Sequence, residues 1–350
     1  MKKIYLLILG GMMMLGTDVL AQDIHFSQFY QSPLTLNPAL TGVMNCNTRI
    51  VGNYRNQWSP VIPGNAYNTY SVSYDQKLPV GRYDNFGFGL NLWGDVAGQL
   101  DFQTLTAKLS GAYARRVAGS RRQSHYVVVG AEVGLSQRSV DFLKAQWPTQ
   151  VDSDFNFDPS IDPGEDFANI DDQFLFGDIG LGVLWFSVLD KASSFYLGGA
   201  ITHLNQANLS FYNSDIVSYF TKAVIHGGGE FPLSGGRVSV LPGAVAFFQG
   251  PSLEINAGAS LRFYMGSSVE DQSFQLGAWY RIGNHFEEAF TSDALILSTR
   301  FDYQNFGIGF SYDINVSSLR QASNANGSFE FSMVYQICGP QNRGVYCPKF

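Results

Sequence analysis

Charge is what this chain is most short of. Asp, Glu, Lys and Arg make up 15% of its 350 residues, where an ordinary soluble domain carries about 25%. The balance is acidic, 29 carboxylates against 22 bases, which excludes the concentrated positive field that nucleic acid requires. Cysteine is scarce as well: Cys46, Cys338 and Cys347 allow at most one internal disulfide. Cys338 and Cys347 share one short tail and form the candidate pair for an oxidising envelope compartment. Three inert thiols is the alternative that counting leaves open. The histidines are His25, His125, His203, His226 and His285, no two at zinc-ligand spacing. HExxH, Walker, CxxC and GxSxG patterns are missing. No catalytic residue, metal site or cofactor is therefore assigned, and a non-enzyme is expected. Behind the first 21 residues no run of eighteen apolar residues exists, so no segment suits a helical membrane span.

What is present starts with a leader. Lys2 and Lys3 precede an apolar run from Ile4 to Leu15, and Val19-Leu20-Ala21 places cleavage after Ala21. No cysteine follows the cut, so a lipid anchor is not expected. The remaining chain is rich in glycine (37 residues) and in aromatics (15%). Its dominant pattern is alternation. In Leu253–Tyr264, Leu253, Ile255, Ala257, Ala259, Leu261 and Phe263 oppose Glu254, Asn256, Gly258, Ser260, Arg262 and Tyr264. A period of two places these sets on opposite faces of a strand. Such segments run to about ten residues, the length of a tilted strand across a bilayer. About fourteen recur between Thr48 and Ile337, an even number as single-chain bacterial barrels require; twelve or sixteen fit almost as well. The expected fold is all-β, a transmembrane antiparallel outer-membrane barrel with an irregular N-terminal segment. Arg at Ile255 or Leu261 would face lipid and harm assembly far more than Arg at Asn256 or Ser260, which would face the lumen.

The same parity turns Lys108, Glu132, Glu254, Arg262, Arg281, Arg300 and Asp302 inward, to line a solute path or to lock a plugged lumen by ion pairs. Arg115–Arg122 reads as a basic periplasmic turn. With both termini in the periplasm, the connection 137–173 faces outward. It is acidic, keeps no EF-hand spacing, and carries Trp147, Phe155, Phe157 and Phe167. These aromatics are the candidate partner-binding residues, since buried aromatic anchors carry much binding energy. A loop that merely covers the barrel mouth is the competing reading.

QDIHFSQFYQSPLTLNPALTG at Gln22–Gly42 follows the leader directly. NYRNQW at Asn53–Trp58, YSVSYD at Tyr70–Asp75, ITHLNQANLSFY at Ile201–Tyr212 and SYDINVSSLRQASNANGSFEFSMVY at Ser311–Tyr335 come after it in order. These blocks resemble the PorP/SprF family, outer-membrane components of type IX secretion and gliding systems. The resemblance implies a non-enzymatic outer-membrane component of type IX protein secretion, or an anchor for a secreted surface adhesin. Partners would be secretion components or an adhesin with a C-terminal sorting domain, besides outer-membrane lipid. The alternative is an outer-membrane transporter or channel for a small solute. The organisation expected is a signal peptide over 1–21, a segment at the periplasmic mouth or in the lumen over 22–47, a barrel over 48–337 and a tail over 338–350.

Overall fold

The computed structural model describes residues 23–120, 123–152, 156–164, 170–189, 193–212, 215–233, 236–265, 272–285, 288–339 and 347. The leader lies outside the described residues. Fourteen strands follow one another: β1 (Thr48–Gln57), β2 (Tyr67–Val80), β3 (Asp84–Ala97), β4 (Phe102–Gly119), β5 (Ser124–Ser139), β6 (Gln173–Val188) and β7 (Ser194–Thr202), then β8 (Lys222–Pro232), β9 (Val238–Gln249), β10 (Ser252–Tyr264), β11 (Gln272–His285), β12 (Glu288–Tyr303), β13 (Phe306–Asn315) and β14 (Asn326–Ile337). Each pairs antiparallel with its neighbours, and β1 closes on β14 from Thr48 opposite Ile337 to Gln57 opposite Ser328. Closure leaves no edge strand, so the backbone groups of the wall pair between strands, as hydrocarbon demands.

The side chains are sorted inside out. In β2, Thr69, Ser71, Ser73 and Asp75 are buried while Tyr70, Val72 and Tyr74 are exposed. Exposed aliphatic side chains continue around the wall, among them Leu109, Val129, Val183, Leu197 and Ile225. A soluble protein would reverse this arrangement; a wall bathed in lipid requires it. The two longest loops share one end of the barrel. The β2–β3, β4–β5, β6–β7, β8–β9 and β12–β13 connections are brief, whereas 140–172 and 203–221 emerge from the opposite end. Bacterial barrels keep short turns in the periplasm, so the long loops mark the cell-surface end.

Two sequence expectations need correction. The basic cluster is not a turn: β4 runs to Gly119, which puts Arg115 and Arg116 in the strand, and Arg121 and Arg122 fall outside the described residues. The disulfide is also different. Cys338 is bonded to Cys46, with their Cα atoms 4.3 Å apart, and Cys347 is a buried free thiol. Closure explains the pairing, because antiparallel β1 and β14 bring the residue pair just before one and just after the other together. Closeness along the tail gave no hint of this contact across 292 residues.

Candidate functional site

The site is the lumen and what fills it. Residues 23–47 cannot make a strand: Pro33 starts a single helical turn, α1 (Pro33–Leu36), and Pro38 starts a 3-10 turn over Pro38–Leu40. The residue before a proline disfavours helix, so α1 ends at Leu36 and Asn37 is extended. Asn37 then caps the next turn by accepting from the Ala39 N–H at 2.8 Å.

This segment meets the wall all the way round. Arg49 of β1 donates to the Leu40 carbonyl, and Asp75 of β2 accepts from the Gly42 N–H. Thr41 bonds Ser110 of β4, and Asn37 donates to carbonyls of Val183 in β6 and Gly199 in β7. Asn37 also meets His226 of β8, Asp23 meets Gln249 of β9, and Tyr30 meets Ser298 of β12. Asn256 of β10, Arg281 of β11, Asp313 of β13 and Glu330 of β14 converge on Ser27. On β3 and β5 glycine makes the contact possible: a Cβ at Gly87 would overlap the Thr41 carbonyl, and one at Gly130 the Ala39 backbone. A segment touching all fourteen strands can lie only inside the barrel.

Its two halves are held by different forces. Toward the periplasm, Leu36, Ala39, Leu40 and Val43 are buried in one cluster with Tyr126, Val128, Leu184 and Phe186. Phe29 and Tyr30 pack on Trp279, edge-on at 5.5 Å and stacked at 5.0 Å. Each such side chain contributes about 1.5–3 kcal/mol by leaving water. Toward the cell surface the contacts are ionic. Arg55 pairs with Glu330 at 3.0 Å and Asp313 at 3.5 Å, and Arg281 pairs with Asp313 at 2.9 Å. Beside them runs a second chain of charge. Glu132 and Asp178 flank Lys108 at 2.7 and 2.6 Å, Asp178 meets His203 Nδ1 at 2.9 Å, and His203 Nε2 meets Asp23 at 2.5 Å. Tyr219 stacks on His203 and donates to the other Asp23 oxygen.

Burial opposes charge on Asp23, yet His203 and Lys222 hold its carboxyl well below the usual range. Burial likewise opposes the His203 cation, and the Asp23 and Asp178 carboxylates raise its pKa. Both ring nitrogens are engaged by carboxylates, so neither is left to act as a base on a substrate.

The inward charges read from the sequence thus form a lock. Lys108 and Glu132 belong to the chain of charge above, Arg281 to the Ser27 cluster, and Glu254 meets His25 at 3.3 Å. Arg262 pairs with Glu230 at 2.6 Å and Arg300 with Asp302 at 2.8 Å. A cavity of about 450 Å³ is left at the periplasmic end, between Tyr30, Arg49, Arg300, Asn305 and Gln336.

Of the four candidate loop aromatics, two lie among the described residues. Phe157 is exposed beside its bridge to Val151, Trp147 is half-buried, and Phe155 and Phe167 lie outside the described residues. The aromatic centre of the surface loops is Phe211, which touches Phe142, Phe102 and Phe174. Asp171 N–H donates to the Phe211 carbonyl at 2.9 Å, joining loops 140–172 and 203–221. Sequence reading missed Phe211, Asp23, His203 and the Ser27 cluster. Strand parity could have flagged Arg55, Asp313 and Glu330 as inward; nothing local marks the others.

No curated protein sequence matches the chain. Among solved structures, the toluene transporter TbuX of Ralstonia pickettii matches at a TM-score of 0.46 and 11% identity, over 88% of this chain and 93% of that one. A Pseudomonas aeruginosa FadL homologue matches at 0.46 and 10%, over 86% and 92%. CdiB from Escherichia coli matches at 0.44 and 8%, over 82% and 62%. The family model described as type IX secretion system membrane protein PorP/SprF matches residues 19–335, nearly all of the closed barrel together with the segment that fills it. A closed fourteen-strand outer-membrane wall and that match together make this chain a member of the PorP/SprF family of type IX secretion system membrane proteins.

Proposed function

We propose that this barrel is a non-enzymatic scaffold of type IX secretion, holding secretion components or a secreted surface adhesin with a C-terminal sorting domain at the outer membrane. The carrying observation is the filled lumen: a segment in contact with every strand turns the wall into a support. A transporter would have to displace that segment first, and the cavity of about 450 Å³ lies at the periplasmic end. The leader is removed after Ala21, so that the lumenal segment opens the mature chain.

Partner contact belongs to the cell-surface loops. Trp147 and Phe157, with Phe155 and Phe167, stand among the carboxylates of Asp141, Asp152, Asp158, Asp162, Asp171 and Asp172. That chemistry suits a basic partner face with apolar sockets. Deleting Val151–Ala168 leaves the Phe142–Phe211 contact in place. The shortened barrel should fold yet lose retention of an adhesin or secretion of cargo, and a tagged envelope pull-down should lose the same partner. Normal retention, secretion and recovery would refute the assignment of the loop.

A further inference from the structure

The outermost part of the lumenal segment, Asp23–Gln28, is held in an unusual way. Its backbone is satisfied by side chains of the wall rather than by regular structure. The Asp23 N–H donates to Gln249 at 2.9 Å, and Lys222 donates to the Ile24 carbonyl at 3.2 Å. Arg55 donates to the His25 carbonyl at 3.1 Å, and Asn256 to the Ser27 carbonyl at 3.3 Å. One carboxylate, Glu330, accepts from the N–H groups of both Ser27 and Gln28, at 2.5 and 2.9 Å. Groups of this kind read a peptide by its main chain.

Two side chains are read as well. The Asp23 carboxylate sits between His203, Tyr219 and Lys222. The Ser27 hydroxyl donates to Asp313 at 2.7 Å and accepts from Arg281 at 2.9 Å. Phe26 is the one wholly buried apolar side chain of the stretch. Apart from Phe26, the apolar anchorage begins at Phe29, and Leu36–Val43 pack independently of Asp23–Gln28. The stretch also lies at the cell-surface end, beside the start of β8, the end of β9 and loop 203–221.

We infer that the outer lumen is a peptide receptor, occupied in cis by the chain's own Asp23–Gln28, whose ligand in trans is an extended segment with a leading carboxylate, presented at the cell surface. Its recognition elements are Glu330, Arg55 and Lys222 for the main chain and His203 with Tyr219 for a leading carboxylate. This goes beyond the scaffold assignment and does not depend on which loop meets a partner. A covalently attached occupant faces its site at an effective concentration of order millimolar, so the intact barrel should resist exchange with a free peptide.

The test uses the barrel lacking only residues 23–28, with folding checked by heat-modifiable electrophoretic mobility. The probe is a fluorescent, C-terminally amidated peptide Gln-Asp-Ile-His-Phe-Ser-Gln, read by anisotropy. It should bind the shortened barrel saturably and the intact one not at all. The same peptide with Asn for Asp should bind at least tenfold more weakly, as should the original on a His203→Gln barrel. A folded shortened barrel that ignores the peptide, or that binds both peptides equally, overturns the inference. Should the shortened chain fail to assemble, the full chain with Asp23→Asn and Ser27→Ala replaces it. That variant must bind the acidic peptide at least tenfold more tightly than the unsubstituted chain, and equal binding overturns the inference.

Discussion

Leu109 and Leu143 are both exposed, at 62% and 98%, and water-based reasoning would treat arginine at either as harmless. Their surroundings differ. Leu109 lies halfway along β4, opposite Leu90 of β3 and Val133 of β5, with apolar side chains on every side of the outward face. Leu143 sits in the Phe142–Lys144 turn of the surface loop. Arginine on the lipid face costs about 2–4 kcal/mol at the bilayer midplane and about zero outside it. At about 1.4 kcal/mol per decade, Leu109→Arg should shift the folding equilibrium by roughly 30- to 1,000-fold. Leu143→Arg should shift it by less than about twofold. Urea unfolding of each variant refolded into phosphatidylcholine vesicles, followed by tryptophan fluorescence, reads the difference. Equal midpoints for Leu109→Arg and Leu143→Arg would refute the assignment of the outward face to lipid. The inward face carries a correction. Parity alone expects arginine at Asn256 or Ser260 to be far less harmful than at Ile255 or Leu261, but Asn256 and Ser260 are themselves buried, at 2% and 4%. Asn256 also supports Ser27, so Asn256→Arg should impair assembly by overpacking.

Peptide mapping of the oxidised protein without reductant should join Cys46 to Cys338 and leave Cys347 unlinked; a Cys338–Cys347 peptide would contradict the closure geometry. Replacing Cys46 and Cys338 by serine should cost up to about 5 kcal/mol, the ceiling for cross-linking so long a loop, read as a lower unfolding midpoint. In planar bilayers the full chain should be electrically silent, and deletion of residues 23–47 should produce steady conductance; silence after deletion would show that the wall itself closes the lumen. The Asp23–His203 contact should hold between two limits. His203 has a raised pKa, so its stabilising charge is complete below about 6.5 and is lost as pH rises through the raised value; Asp23 has a depressed pKa, so its share is lost only as pH falls through that low value. Hydrogen exchange at the N–H groups of Ile24 and His25 should therefore accelerate above neutrality beyond the intrinsic pH trend, and His203→Gln should abolish that extra acceleration.

The sequence by itself determined the wall. Alternation is a property of residues two apart, so Leu253–Tyr264 displays its lipid and lumen faces with no knowledge of its neighbours, and the expected number of about fourteen segments matches β1–β14. Parity also sent Lys108, Arg262 and Arg281 inward, because their cost in hydrocarbon is local. The tertiary structure decided everything that depends on closing the ring. Cys46 meets Cys338 only because β1 pairs with β14. Asp23 meets His203 across 180 positions only because residues 23–47 traverse the lumen from Asn47 at one end to Asp23 at the other. Phe211 gathers Phe102, Phe142 and Phe174, since loop packing follows from which strands stand side by side. Charge partners in a barrel are chosen across the ring and through its interior, and a pattern of period two carries no record of that choice.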